Sequence, residues 1–196
     1  MNWDSVYVAD TPPPWDIGRP QPAFLRLASG GLLSGNVLDA GCGTGEHTLL
    51  AAAHGAEAVG ADVSPTAIAR ARAKAAGRGL TARFEVADAL DLGQLGHTFD
   101  TVIDSGLFHV FDDPDRARYV ASLASVLRPG GTCYLMCFSD LQEGTMGPRR
   151  VRKDELIAAF ADGWTVASII ADDFVVTREF FPDGRARAWL ATIRRG

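Results

Sequence analysis

The chain has 196 residues, 47% of them apolar and 22% charged, with a formal net charge of −5. That length and balance suit one globular domain with a substantial core. The acidic surplus argues against a broad footprint for nucleic-acid backbones, the three cysteines lack the paired spacing of a zinc site or disulfide framework, and no stretch approaches the roughly 20 apolar residues of a membrane span.

The opening segment, residues 1–22, carries proline at 12, 13, 14, 20 and 22. This predicts extended or turning backbone rather than a continuous helix. The segment lacks a basic stretch followed by an apolar core, so it does not read as a secretory signal, and a cytoplasmic protein is expected. "AFLRLAS" predicts a helix ending at Gly30–Gly31. From Asn36 the pattern alternates. "NVLDAG" reads as a buried strand, "GEHTLLAAAHG" as a helix, and "AEAVGAD" as a second strand. "SPTAIARARAKAAGRG" predicts a helix with Ser64 as N-cap, Pro65 in the first turn and Gly77 near its end. "TARFEVAD" and "FDTVIDSG" predict two further strands, "DRARYVASLASVLRPGG" a helix with a Pro-Gly-Gly stop, and "TCYLMCFS" a fifth strand. A polar stretch over residues 140–152 is too long for an ordinary connection and is expected on the substrate side. The helix "RKDELIAAFADG" precedes two final strands, "WTVASIIADDFVVTREFF" and "RARAWLATIRR", expected to pair antiparallel across "PDGR". Strands alternating with helical patterns of about 10–15 residues indicate an α/β domain with a parallel sheet. No composition shift divides residues 1–196 into two domains.

In open α/β sheets ligands bind beyond the carboxyl ends of the strands, and the turn "GCGTG" (Gly41–Gly45) occupies that place after the first strand. Glycine there lets a ligand approach bare backbone. Its spacing departs from the G-x-G-x-x-G of dinucleotide sites, with Glu46 where the third glycine would fall. Asp39 and Glu46 flank the turn, and two carboxylates beside a pyrophosphate would repel it by about 1 kcal/mol per close pair even in water. The same acids suit a cationic ligand without phosphate, such as S-adenosylmethionine. Further along, Asp62 ends the second strand, where an acid can accept from ribose hydroxyls. Asp88 ends the third and can accept from an adenine amine, and Asp104 ends the fourth.

"VLDAGCGTGEHTL", "AVGADVSPTAI", "ARFEVADALDL", "FDTVIDSGLFHVF" and "LRPGGTCYLMCF" follow one another in the order of the motifs of class I S-adenosylmethionine-dependent methyltransferases, which the chain resembles over residues 20 to 140 and, by element order, through its tail. The resemblance implies a Rossmann-like, doubly wound, seven-stranded sheet with one antiparallel strand near the edge and helices on both faces. It also implies Asp39 and the backbone of Gly41, Gly43 and Gly45 near the methionyl group of the cofactor, Asp62 at the ribose, and Asp88 with Ala89 at the adenine. Val63 and, on the same rim, Asp104 are further cofactor candidates, and Thr44 either touches the ligand or caps the next helix. "TPPPWDIGRPQPAF" resembles a segment of the thiopurine, halide/thiol and heterocyclic-toxin methyltransferases, which implies an N-terminal lid with Trp15 beside the cofactor and a small-molecule acceptor.

On the acceptor side, His109 lies five residues past Asp104 and is a candidate general base, or else a wall residue or structural hydrogen-bond partner. Phe108 and Phe111 either stack a flat substrate or pack beneath the rim. Arg149 and Arg150 either steer an anionic or electron-rich acceptor or are solvated loop charges, and Trp3 and Tyr7 are candidates to touch substrate from a lid that closes with Trp15. The expected function is methylation of a small, aromatic or heteroaromatic, oxygen, sulfur or nitrogen nucleophile. Three rivals stand beside it. Asp104-Ser105-Gly106-Leu107 replaces the Asn/Asp-Pro-Pro-aromatic motif of base-amino methyltransferases, which counts against a nucleic-acid acceptor. The glycine spacing and acids count against a nicotinamide enzyme. A non-catalytic S-adenosylmethionine-binding protein is the third.

Overall fold

The computed structural model describes residues 2–9, 11–179 and 181–196. Short apolar runs become β1 (Asn36–Ala40), β2 (Glu57–Asp62), β3 (Arg83–Val86), β4 (Phe99–Ser105), β5 (Leu127–Phe138), β6 (Trp164–Val175) and β7 (Arg185–Arg195). They form one sheet in the order β3-β2-β1-β4-β5-β7-β6. β1 to β5 pair in parallel, whereas β7 runs antiparallel to both β5 and β6, so the expected single antiparallel strand lies one place in from the edge.

Six helices follow: α1 (Trp3–Val8), α2 (Pro22–Ser29), α3 (Glu46–Ala53), α4 (Pro65–Arg78), α5 (Asp113–Val126) and α6 (Lys153–Ala159). Alternation along the strands divides the core. Leu38 and Val102 face Tyr119, Leu123 and Val126 of α5, while Val37 and Ile103 face Phe24 of α2 and Leu50 and Ala51 of α3. Helices therefore cover both faces. The chain reverses its winding between β1 and β4, whose following helices lie on opposite faces, and this switch opens a crevice at their carboxyl ends.

The helix starts follow the local chemistry. Ser64 Oγ accepts from Ala67 N at 3.0 Å and Pro65 occupies the first turn of α4; Asp112 caps α5 through Asp115 N. Gly77 lies near the end of α4, as expected, and Gly79 supplies its left-handed stop. Other boundaries differ from expectation. β6 ends at Val175, short of the aromatic pair at 180–181, and Phe180 lies outside the described residues, as do Met1 and Asp10 of the expected lid. Residues Trp3–Val8 are helical where extended backbone was expected, because the prolines begin only at Pro12 and Asn2 caps this turn through Asp4 N.

Candidate active site

The glycine turn is folded over the end of β2. Gly41 N and Cys42 N both donate to Ala61 O, at 2.8 and 2.9 Å, and Gly43 N donates to Asp62 Oδ2 at 2.8 Å. Gly43 holds φ +52 and Gly45 φ +87, conformations that a side chain would strain. A Cβ at Gly43 would stand 2.8 Å from the Tyr7 hydroxyl, so the outer face of the turn is bare backbone under the lid. The turn delivers the chain into α3, with Gly45 as N-cap.

The acids at the strand tips divide into two kinds. Asp39 is buried; its Oδ2 accepts from Thr48 N at 2.9 Å and Thr48 Oγ1 at 2.7 Å, and among the described residues no hydrogen bond engages Oδ1. Burial pushes its carboxyl up to about 7, against the pull of the Thr48 bonds. Asp62 accepts one backbone N–H on each oxygen, from Gly43 and from Ser64, and burial raises its pKa also. Each oxygen keeps a lone pair for a further donor. Asp88 is exposed at the end of β3, with Oδ1 accepting from Leu90 N, and Val63 lies 49% exposed beside Asp62. Asp104 is different. It is fully buried, and its oxygens accept from Leu107 N, Phe108 N and the Tyr119 hydroxyl. The expectation that it lines the cofactor rim is corrected: it braces the turn after β4.

Glu46 requires a second correction. Its carboxylate accepts from Lys74 Nζ at 2.8 Å and from both terminal nitrogens of Arg78, at 2.8 and 2.9 Å. Burial works against its charged form, but these cations hold the carboxyl below its usual value. Its charge is neutralised inside the molecule, so it does not repel a pyrophosphate and does not attract a cation. Of the two acids that flank the turn, only Asp39 keeps that role.

The N-terminal segment closes over the turn. The Tyr7 hydroxyl accepts from Trp15 Nε1 at 3.2 Å, and Trp3 meets Trp15 edge-on at 6.3 Å. Asp4 Oδ1 accepts from Ser64 Oγ at 2.6 Å and Thr66 N at 3.0 Å, which ties α1 to the start of α4. Asp16 Oδ1 accepts from Thr44 Oγ1 at 2.9 Å, and Thr44 in turn accepts from Lys74. The Thr44 hydroxyl thus secures the lid and is not open to a ligand, contrary to expectation. Further on, Thr177 N donates to Pro14 O, and the Gln21 amide bonds both N and O of Val175. The lid therefore bridges the glycine turn and the end of β6. Trp3 and Tyr7, expected to touch substrate, serve as its packing and latch.

Beyond β4 the expectations change most. Phe108 is fully buried against Phe160, 5.9 Å between rings, with the Arg116 guanidinium 4.6 Å over it, and it cannot stack a substrate. Phe111 packs on Tyr119 at 5.1 Å, on the same inner side. Arg149 is held between Asp113 and Glu155. Arg150 donates to the backbone of its own loop and lies 5.6 Å over the Phe138 ring. His109 is buried, and its Nδ1 accepts from Phe138 N at 2.9 Å. Burial, reinforced by Arg116 and Arg150, depresses its pKa to about 3. The imidazole is neutral, its one basic nitrogen engaged by a backbone N–H, and the general-base expectation is corrected on that ground.

What the sequence reading missed is the aromatic group around His109. Phe138 meets it edge-on at 5.1 Å and Phe174 at 6.1 Å; Phe138 also meets Phe174 at 5.7 Å and Phe181 at 5.8 Å. Gly106 adjoins this group, since a Cβ there would lie 3.5 Å from His109 Cε1 and Nε2 and 3.8 Å from Phe174 Cζ. The available signal was the aromatic density at the strand ends, "CFS" and "DDFVV".

Comparison with known proteins agrees with this architecture. A family model described as a methyltransferase domain matches residues 37–131. The chain is 37% identical, over 94% of its length and 86% of the relative's, to 2-heptyl-1-hydroxyquinolin-4(1H)-one methyltransferase of Mycobacteroides abscessus. It is 28% identical to the probable thiol methyltransferase 2 of Arabidopsis thaliana, over 74% of this chain and 65% of that one. A solved structure concerned with conversion of a disulfide bond into a thioacetal group during echinomycin biosynthesis superposes with a TM-score of 0.88 at 41% identity, covering 98% of this chain and 91% of the other. Taken with the seven-stranded sheet and the acid-flanked glycine turn, these likenesses make the chain a member of the S-adenosylmethionine-dependent methyltransferases, in their small-molecule group.

Proposed function

We propose that the acceptor is a small aromatic or heteroaromatic molecule methylated on oxygen or sulfur, and that it enters between the lid, residues 140–152 and the end of β4. The observation that carries this reading is the aromatic group of Phe138, Phe174 and Phe181 beside Gly106, on the side of the sheet that the lid covers. The relative named for a hydroxyquinolone and the relative named for a thiol support it.

The residues present fit the cofactor. Gly43 offers bare backbone, Asp39 an unengaged Oδ1, Asp62 two further lone pairs, and Val63, Asp88 and Ala89 a partly open apolar and acidic ledge along β2 and β3. Asp39 and the Gly41–Gly45 backbone would hold the aminoacyl end, Asp62 the ribose, and Asp88 with Ala89 the adenine, while Trp15 and Tyr7 would close the lid over it. S-adenosylmethionine supplies a methyl group activated by its sulfonium. The chain's part is to align the acceptor and exclude water, since displacement at an activated carbon gains most from position.

Calorimetry with S-adenosylhomocysteine, followed by a panel of thiols, phenols and N-hydroxy heteroaromatics with the methyl donor, tests this reading. Binding together with transfer to at least one aromatic oxygen or sulfur is expected. Binding without turnover on any member would count against it and favour the non-catalytic alternative; transfer only to nucleic acid or protein would replace the acceptor assignment.

A further inference from the structure

We infer that His109 meets the acceptor as a neutral hydrogen-bond donor through Nε2–H, beside Gly106 and at the edge of the Phe138, Phe174 and Phe181 group, and so selects acceptors that have shed their proton before they bind. The inference rests on the proposed function and specifies which nucleophiles that site takes.

The first step is the tautomer. Phe138 N is a backbone donor, and it points at Nδ1 of His109 from 2.9 Å. A ring nitrogen that accepts cannot carry the proton of a neutral imidazole, so the proton sits on Nε2. Among the described residues nothing accepts from Nε2. That atom lies, with Cε1, against Gly106, one residue past the end of β4, where a Cβ would stand 3.5 Å from both atoms. A donor is therefore held beside the turn that follows β4, with no protein acceptor among the described residues.

The second step is the charge around it. Arg116 of α5 and Arg150 of the 140–152 loop are near enough for their charges to act on His109, although their guanidinium groups lie over the Phe108 and Phe138 rings; from β5 and β6 the rings of Phe138 and Phe174 pack against it. Arg116 is buried, and among the described residues its Nε and Nη2 have no partner, though Nη1 lies 3.5 Å from Glu155. Two guanidinium groups and an N–H donor favour an anion and disfavour protonation of the ring. Phe138 and Phe174 are themselves buried, so they offer ring edges, and the half-buried Phe181 the larger apolar surface, to an aromatic anion.

The third step is proton balance. An acceptor that arrives as a phenolate, thiolate or N-oxide anion has already lost its proton to solvent. Its lone pair forms the bond to the methyl carbon as the carbon–sulfur bond breaks, and that electron pair stays on the sulfur. One negative and one positive charge cancel, and no group of the chain takes a proton. A site with no free basic nitrogen suits this sequence.

The test compares acceptors of different acidity: 1-hydroxyquinolin-4(1H)-one, 4-nitrophenol and phenol. The pH midpoint of kcat/KM is expected to follow each acceptor's own ionisation; one shared midpoint would overturn the inference while leaving methyl transfer intact. Binding is read separately, from the absorbance of 4-nitrophenol with S-adenosylhomocysteine present. The bound form is expected to be the anion, with its ionisation shifted to lower pH, and binding of the neutral phenol, or no binding by enzyme that holds S-adenosylhomocysteine, would overturn it. His109→Leu is expected to weaken 4-nitrophenolate binding roughly 10- to 100-fold, as for loss of a hydrogen bond to a charged group. His109→Gln, whose amide nitrogen can stand near Nε2 but cannot serve as a base, should lose clearly less, and equal losses would overturn the donor role. Nitrogen-15 shifts of His109 in the unmutated protein give a check independent of folding: the proton should be found on Nε2, and a proton on Nδ1 would refute the tautomer.

Discussion

Trp15 Nε1 donates to the Tyr7 hydroxyl at 3.2 Å, directly above the bare backbone of Gly43. This joins the two halves of the lid, α1 and the proline segment, at the point where a bound cofactor would lie. Tyr7→Phe removes the acceptor and keeps the ring. A neutral hydrogen bond contributes about 1 kcal/mol, so S-adenosylhomocysteine should dissociate roughly fivefold faster from the variant. Stopped-flow displacement would measure this, and an unchanged off-rate would mean that the pair does not hold the lid.

If Asp39 holds the aminoacyl end as proposed, cofactor affinity should depend on pH. Burial holds its carboxyl near 7 in the free protein, and a cationic ligand favours the ionised form. Binding between about pH 5.5 and 7 should therefore release protons, and affinity should fall as the pH drops below about 7. Calorimetry in buffers of different ionisation enthalpy counts those protons directly. Asp39→Asn should abolish the release and weaken binding by roughly tenfold or more. The sign for stability is the opposite. A carboxyl whose folded pKa is raised favours the folded state as pH falls from about 7 towards its unfolded value of about 3.9, so Asp39 and Asp104 should both stabilise the ligand-free protein on mild acidification.

The fold and the geometry of the glycine turn were legible because their signals are local. A strand carrying Asp39, a glycine turn and a helix start are fixed by neighbours in sequence, and so are Ser64-Pro65 and the acid that ends β2. The acceptor half was not legible for the opposite reason. Phe138, Phe174 and Phe181 come from the ends of β5 and β6 and the connection after it, and only the sheet order β5-β7-β6 brings them to His109. Charge partners are equally non-local. Glu46 looked like a ligand for a cation until α4 placed Lys74 and Arg78 against it, and Arg149 looked free until α5 and α6 supplied Asp113 and Glu155. Phe108 shows the limit within a single motif, since whether its ring points to the rim or into the core depends on where Arg116 and Phe160 lie.

Glu46 should matter for stability and little for binding. It is buried between two cations that remain partly exposed, so Glu46→Gln leaves Lys74 and Arg78 without their anion and should cost about 1–3 kcal/mol. Its folded pKa lies below the unfolded value, so its contribution is present above about pH 4.5 and is lost as pH falls through the folded pKa. Urea denaturation at pH 7 and again in acid should show the gap between variant and parent close. A gap that stays constant with pH would mean that the network contributes through packing rather than charge.

Gly45 tests whether the turn is built by shape. Its φ of +87 is strained for any side chain, and a Cβ there would lie 2.7 Å from Phe84 Cε1 and 2.9 Å from the Ala71 Cβ. Neither neighbour can withdraw easily, because Phe84 and Ala71 belong to the buried cluster that seats α4 on β3. Gly45→Ala should therefore combine a left-handed backbone penalty of about 1 kcal/mol with overpacking of about 1–3 kcal/mol. The expected result is a fall in melting temperature of several degrees together with weakened S-adenosylhomocysteine binding, since the same turn carries Gly43 N to Asp62. Gly79→Ala, at another left-handed position but with open space around it, is the comparison: it should show the backbone penalty alone and leave binding unaffected. Equal destabilisation by the two substitutions would mean that contact with Phe84 and Ala71 adds nothing to the cost at Gly45.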